Sequence, residues 1–321
     1  MPTSIEPIMT LQQLQYIVAL DDHRHFVRAA ESCFVTQPTL TMQLRKLEEE
    51  LDVVLFDRSS HPVRPTETGA RMVAQARVVL REAEQLHALV DELHAGFNGT
   101  YRIGVIHTLA PYLLPLFLPR FAAAHPNVRL VIDERKTSRI LKALRKGDLD
   151  LGILVTPVDE PDIEEIPLFQ EPFLAYLPKG HALRRRKNLE RSDLGGQALW
   201  VLGEGHCFRD QALSLCDRPS SGGHENVLYE SGSIETLKNL VQNGSGMTLV
   251  PELSVSNDDP HVRHFAKPAP VRQVSLVVRK PFVRRRLLEE LAECIRKAVP
   301  AHMASTQLKP EAGPVKKTAY S

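Results

Sequence analysis

Between Met72 and Leu93 the apolar residues Met72, Ala76, Val79, Ala83, Leu86, Val90 and Leu93 alternate four and three positions apart. A seam of that period keeps one stripe of a long helix apolar, and a stripe so sustained predicts pairing with a second copy of the chain. Burial under the chain's own domains is the competing explanation. Thr66 is placed to cap this helix and Gly96-Phe97-Asn98-Gly99 to serve as a hinge out of it, so residues 66–97 read as a linker and dimerisation helix. The helix divides the chain, because the pattern before it is helical and the pattern after it alternates strand and helix. At 321 residues the chain is longer than one hydrophobic core usually serves, which also points to separate domains.

Residues 1–8 are polar with two prolines and read as a dispensable extension ahead of Met9, so the first domain is expected over 9–65. Leu14, Ile17, Val18 and Leu20 mark a first helix, and Phe26, Ala29 and Ala30 belong to a second over Val27–Ser32. After the turn Cys33-Phe34-Val35, Thr36 is a good N-cap and Pro38 sits in the first turn of a third helix over Gln37–Glu50. Leu40, Leu44, Leu47 and Leu51 form its core face, while Thr39, Met42, Gln43 and Lys46 face outward. Two short helices, a tight turn and a polar free face make a helix-turn-helix. Its DNA-facing set is Thr36, Gln37, Pro38, Thr39, Gln43 and Lys46, with glutamine suited to adenine in the major groove. Arg58, His61 and Arg64 read as a wing that touches phosphates. Glu48, Glu49 and Glu50 would repel DNA, so that end of the helix is expected to point away. The net charge of +1 gives no overall attraction to nucleic acid, which leaves any contact to local placement. An ordinary three-helix packing module is the alternative.

Beyond residue 98 the chain reads as strand Tyr101–Val105, helix Pro111–Ala124, strand Val128–Asp133, helix Ser138–Lys146 and strand Leu151–Val155. Phe173–Leu177 crosses into a second unit, about 176–272, with strands Leu199–Val201 and Met247–Val250 and helix Ile234–Gln242. Val274–Val278 returns to the first unit and is followed by helix Val283–Lys297. The fold class is therefore α+β multidomain: an N-terminal winged helix-turn-helix, a long dimerising linker helix, and a two-lobed α/β regulatory domain over 98–303 of periplasmic-binding-protein type. Ligands in such a domain lie between the lobes near strand carboxyl ends. Residues 304–321 read as a disordered tail. The basic runs Arg184–Lys187 and Arg284–Arg286 read as solvated faces. No run approaches a membrane span, no secretory signal is visible, and four cysteines without pattern are no extracellular framework, so a cytoplasmic protein is expected. No Cys/His spacing suggests a metal and no phosphate loop suggests a cofactor.

The remaining signal is Gly203-Glu-Gly-His-Cys-Phe-Arg-Asp-Gln-Ala-Leu-Ser-Leu-Cys216. Phe208, Ala212 and Leu215 recur at helical spacing, which puts Cys207 at a helix N-terminus. There the helix dipole, with His206 and Arg209 near in sequence, favours a thiolate, the form that attacks an oxidant. If 207–216 is helical, nine steps of about 1.5 Å place the two sulfurs on the order of 14 Å apart. A disulfide needs Cα atoms within roughly 7 Å, so the pair joins only if the segment unwinds. Two unrelated core cysteines are the bland alternative, and Cys33 and Cys294 read as such.

This segment resembles the redox centre of the hydrogen-peroxide-sensing LysR-type transcription factors. Phe26-Val-Arg-Ala-Ala, Thr36-Gln-Pro-Thr-Leu-Thr-Met-Gln-Leu-Arg-Lys-Leu-Glu and Leu55-Phe-Asp-Arg58 resemble the LysR-type DNA-binding domain throughout, with Asp52 where that family has glycine. The resemblance implies that peroxide oxidises Cys207 to sulfenic acid, that Cys216 resolves it as a disulfide, and that the refolded segment reorients dimers of a homotetramer on promoter DNA. It implies a ligand site of Thr108, Thr137, His206 and Arg272, with His107 replacing an expected proline. It also implies an activator of oxidative-stress genes, with RNA polymerase as a further partner, and no enzyme. A LysR-type regulator sensing a small metabolite between the lobes is the alternative. A thiol peroxidase is a third reading, disfavoured by the share of the chain given to DNA binding and pairing.

Overall fold

The computed structural model describes residues 9–93, 98–215, 220–221, 232–244, 246–256 and 258–304. The proposed extension 1–8, hinge residues 96 and 97, Cys216, the tail beyond 304 and the side chains of Val90 and Leu93 lie outside the described residues. The chain divides into two compact units, with the boundary between residues 95 and 96.

In the first unit, α1 (Leu11–His23) opens on a capping box in which the Thr10 side chain accepts from the Gln13 amide and Gln13 accepts in return from that of Thr10. α2 (Phe26–Ser32) and α3 (Gln37–Leu51) follow. Leu14, Ile17 and Leu20 of α1, Ala29 and Ala30 of α2, and Leu40, Leu44 and Leu47 of α3 are all buried in one core. Leu51 is only partly buried at its margin. α3 ends on Asp52, whose φ of 51° is the left-handed conformation glycine usually supplies. β1 (Phe56–Asp57) and β2 (Arg64–Pro65) pair antiparallel as the two sides of the wing.

One acidic residue departs from expectation. Glu48 does not simply point away from DNA: its carboxylate accepts from the Leu55 amide at 2.7 Å and the Phe56 amide at 3.3 Å, and it pairs with Arg58. It joins the end of α3 to the root of the wing.

α4 (Glu67–Leu93) starts as expected on Thr66, whose hydroxyl accepts from the Gly69 amide at 2.9 Å. Its first turns cross the wing root so closely that a Cβ on Gly69 would lie 1.8 Å from the Leu55 carbonyl oxygen. Val73 and Ala76 are buried in the first unit's core, with Met72 packed against it, and Arg77 pairs with Asp21 and Asp22 of α1. The start of the apolar seam is thus covered by the chain's own domain. Further along, Val79 is 38% exposed and Leu86 65%, leaving the later seam open to a partner.

The second unit is built on a mixed sheet. β3 (Gly99–Val105) pairs in parallel with β4 (Val128–Glu134) and β5 (Leu151–Thr156), and α5 (Ala110–Ala124) and α6 (Thr137–Lys146) are the crossovers. β6 (Ile163–Tyr176) is the crossing strand. The second lobe holds β7 (Ala198–Trp200), α7 (Cys207–Ser214), β8 (Ser220–Ser221), α8 (Ile234–Gln242), β9 (Met247–Pro251) and β10 (Val262–Arg263). β11 (Val271–Arg279) returns between β5 and β6, antiparallel to both, and α9 (Arg285–Ala298) closes the first lobe. Each lobe has its own apolar core.

β6 begins ten residues earlier than the expected Phe173. Residues Ile163 to Pro172 pair with β11, and only Phe173 to Tyr176 pair with β9. Pro167, Pro172 and the polar Glu164-Glu165 hide the strand in the sequence. The structure accommodates Pro167 at a bulge, where the β11 register shifts between Val274 and Ser275.

Asp52→Gly is expected to stabilise the first unit by about 0.5–1 kcal/mol by relieving the left-handed strain, whereas Gly69→Ala must push α4 off the wing root and destabilise it. Urea unfolding of the two variants beside the unsubstituted chain reads both effects.

Candidate functional site

The ends of two strands and the start of one helix meet where the lobes face each other. β3 and β4 both stop at their carboxyl ends: Thr108 lies in the turn before α5, and Thr137 is the first residue of α6. Cys207, the first residue of α7 in the second lobe, packs against the core of the first. Of the four expected ligand-site residues, Thr108, Thr137 and Arg272 are buried, and His206 is half-buried.

Arg272 on β11 is the centre of the polar network. Its guanidinium donates to Glu171 through Nε at 2.8 Å and Nη2 at 2.6 Å. It also donates to Thr108, to Oγ1 at 3.0 Å and to the carbonyl at 3.1 Å. The Phe208 ring lies 5.3 Å from the guanidinium carbon and stacks in turn on Phe173 at 5.2 Å. Glu171 accepts the Leu253 amide at 2.9 Å with its other oxygen. Glu171 carries no motif of its own in the sequence, although an acid set between Phe169 and Phe173 in an apolar strand is itself a signal of buried pairing.

The electrostatics correct the expected thiolate. Cys207 keeps part of its surface open, yet burial is the largest influence on its thiol and pushes its pKa up. Arg272, the nearby Thr137 hydroxyl and the Phe208 amide pull the other way without overcoming it. Burial thus favours the protonated sulfur over the thiolate that a helix N-terminus alone would give. His206 supplies no positive potential either: burial, with Lys136 and His107 beside it, pushes its pKa down to about 4, so it is neutral at neutral pH. The Arg209 guanidinium is turned to the Leu202 carbonyl at 2.9 Å.

His107 stands where a proline was expected and meets His206 edge to face, ring centres 5.6 Å apart. Two buried polar atoms here have no hydrogen-bond partner among the described residues, His107 Nδ1 and Thr137 Oγ1. Among the described residues no cluster of His, Cys, Asp or Glu could hold a metal ion. Cys33 and Cys294 are half-buried and form no disulfide.

On the helix-turn-helix, Gln37, Pro38, Lys46 and Arg64 are exposed and Gln43 partly so. The Thr36 hydroxyl accepts the Thr39 amide at 3.4 Å and lies 2.8 Å from its hydroxyl, so both serve the cap as well as any contact. Arg58, read as a free phosphate contact, is paired with Glu48.

His206 is expected to titrate near pH 4 in the folded chain, against about 6.5 unfolded. The stability it contributes is present above pH 6.5 and is lost as the pH falls through about 4, because the unfolded chain takes up that proton first. NMR titration of the imidazole checks the midpoint.

Residues 11–70 match the family model for bacterial regulatory helix-turn-helix proteins of the lysR family, and residues 94–300 match the LysR substrate binding domain. The DNA-binding transcriptional dual regulator OxyR of Escherichia coli K12 is 40% identical over 298 residues, 92% of this chain and 97% of that protein. The hydrogen peroxide-inducible genes activator of Dickeya chrysanthemi is 39% identical over 301 residues, again 92% and 97%. A cysteine-to-aspartate variant of full-length OxyR from Pseudomonas aeruginosa superposes with a TM-score of 0.75 at 37% identity, covering 91% of this chain and 99% of that one. An OxyR cysteine variant from Corynebacterium glutamicum with H2O2 bound gives 0.60 at 30% identity, covering 90% and 92%. None of the helices among the described residues is long and apolar enough to cross a membrane.

Proposed function

The chain belongs to the LysR family of bacterial transcription regulators and to its hydrogen-peroxide-sensing branch, and we propose that Cys207 is the residue through which it senses. The observation that carries this reading is the Thr137 hydroxyl, buried within hydrogen-bonding reach of the Cys207 sulfur and with no nitrogen or oxygen partner among the described residues. A small hydroxylic oxidant satisfies that hydroxyl and comes within reach of the sulfur at once.

The chemistry runs in two steps. The Cys207 sulfur attacks one oxygen of hydrogen peroxide: an S–O bond forms, the O–O bond breaks, and the departing hydroxide takes the thiol proton to leave as water. Thr137 donates to the oxygens as charge develops on them, and Arg272 holds Thr108 in place beside them. The Cys216 thiol then attacks the Cys207 sulfenic acid, forming the disulfide and releasing a second water. α7 is helical from Cys207 to Ser214, so closing that bond requires the segment to unwind. The refolded segment alters how dimers, paired through the exposed part of the α4 seam, sit within a tetramer on promoter DNA in the cytoplasm. Oxidative-stress genes are thereby activated, with RNA polymerase as the onward partner and the exposed α3 residues and wing as the DNA contacts.

A metabolite-sensing regulator is the competing reading, and the buried charge between the lobes is the observation that favours it. That charge is already satisfied within the protein, Glu171 by Arg272 and Leu253, and Arg272 by Glu171 and Thr108. It offers a metabolite no unpaired ion.

With a small molar excess of peroxide and a sulfenic-acid-trapping diketone, Cys216→Ser is expected to carry the adduct on Cys207, and the unsubstituted chain a Cys207–Cys216 disulfide, both read by mass spectrometry. Cys207→Ser should abolish the peroxide-dependent change in the promoter footprint. A footprint that still responds in Cys207→Ser would sink the reading. Thr137→Val is expected to slow the oxidation roughly tenfold to a hundredfold by stopped flow, with little change in melting temperature.

A further inference from the structure

Cys207 is delivered to the site by the turn Glu204-Gly205-His206, and one side chain of the first lobe grips that turn. Lys136 lies at the end of the β4–α6 turn, one residue before Thr137. Its Nζ donates to the Glu204 carbonyl at 2.8 Å. Its stem runs along Gly205, where a Cβ would stand 3.3 Å from Nζ, 3.4 Å from Cδ and 3.8 Å from Cε. Gly205 is in the left-handed region at φ 78°, so the turn both makes room for the lysine and presents a carbonyl to it. The ammonium also lies close enough to His206 to disfavour a second positive charge there, with the His107 ring as the other group facing that imidazole.

We infer that Lys136 is a positioning residue: it clamps the 204–206 turn to the first lobe in the dithiol form, lets go in the disulfide form, and so sets how readily the Cys207–Cys216 couple oxidises. The inference rests on the disulfide reading above. A contact made in only one of two states shifts their equilibrium by its own worth. The equilibrium concerned is the dithiol plus glutathione disulfide against the protein disulfide plus two glutathiones, which balances in atoms and electrons. Removing the clamp therefore favours the disulfide, and the local charge change frees His206 to protonate at higher pH.

The test equilibrates the full chain, Lys136→Met and Lys136→Arg without oxygen in graded glutathione buffers, reading the Cys207–Cys216 disulfide by alkylation and mass spectrometry. Lys136→Met should be half-oxidised at a ratio of glutathione disulfide to squared glutathione about threefold to tenfold lower, the worth of one partly exposed hydrogen bond. Lys136→Arg keeps donor and charge and should stay within about twofold of the unsubstituted chain on the same reckoning. NMR should show the His206 midpoint raised in Lys136→Met and held in Lys136→Arg, which loss of packing alone would not produce. If the unsubstituted chain forms the disulfide but Lys136→Met titrates with it, the clamp is overturned and the sensor stands. A shifted midpoint with His206 unmoved overturns it as well. If the unsubstituted chain forms no Cys207–Cys216 disulfide, the sensor reading fails and the clamp falls with it.

Discussion

The second unit is organised around one buried ion pair. Arg272 is 1% exposed and Glu171 not at all, and the two are directly opposite each other in the β11–β6 register. Neither charge would be tolerable there alone, since an unpaired ion in a protein interior carries a large desolvation penalty. Together they do more than neutralise one another. Arg272 holds the Thr108 turn of the first lobe, Glu171 holds the Leu253 amide, and the guanidinium faces the Phe208 ring, one residue beyond Cys207. The two crossing strands, both lobes and α7 are thus referred to one point. The pair's charges are consumed internally, and among the described residues the Thr137 hydroxyl and the His107 Nδ1 have no nitrogen or oxygen partner.

On the proposed reading, that arrangement lets a half-buried cysteine be both quiet and selective. Burial favours the protonated form of Cys207, so bulky or charged electrophiles meet a partly enclosed sulfur that resists ionisation. Hydrogen peroxide is small, neutral and able to accept from Thr137 while presenting an oxygen to the sulfur. On the same reading, reactivity resides in the bound arrangement, where the donors around the sulfur are already in place as charge develops. The neutral His206 fits the same logic: it lines the site without adding charge.

Much of this was legible in the chain. The α1–α3 core followed from leucine spacing, the α3 start from Thr36 and Pro38, and the α4 start from Thr66, because caps and periodicity are local. The motif around Cys207 marked the site and the start of α7, and the resemblance supplied Thr108, Thr137 and Arg272. What escaped depends on partners distant in sequence. Glu48 looked like an acid to be kept from DNA until its bonds to Leu55, Phe56 and Arg58 were seen. The first ten residues of β6 were hidden by Pro167 and Pro172, of which Pro167 is accommodated at a bulge. The upward push on the Cys207 pKa was not legible in the chain, because the helix dipole and neighbouring cations can be read locally, whereas burial under the other lobe cannot. Met72 and Ala76 belong equally to a heptad seam and to the first unit's core, and spacing alone cannot divide them.

The central claim is that the pocket, not a preformed thiolate, makes Cys207 reactive to peroxide. The most direct measurement compares second-order rates of Cys207 with hydrogen peroxide and with iodoacetamide across pH 6–10, using Cys216→Ser. The account predicts fast peroxide reaction at neutral pH while alkylation stays slow and rises only above the free-cysteine value of about 8.5. Alkylation already complete at neutral pH, with peroxide no faster relative to it than at a free thiol, would contradict the account.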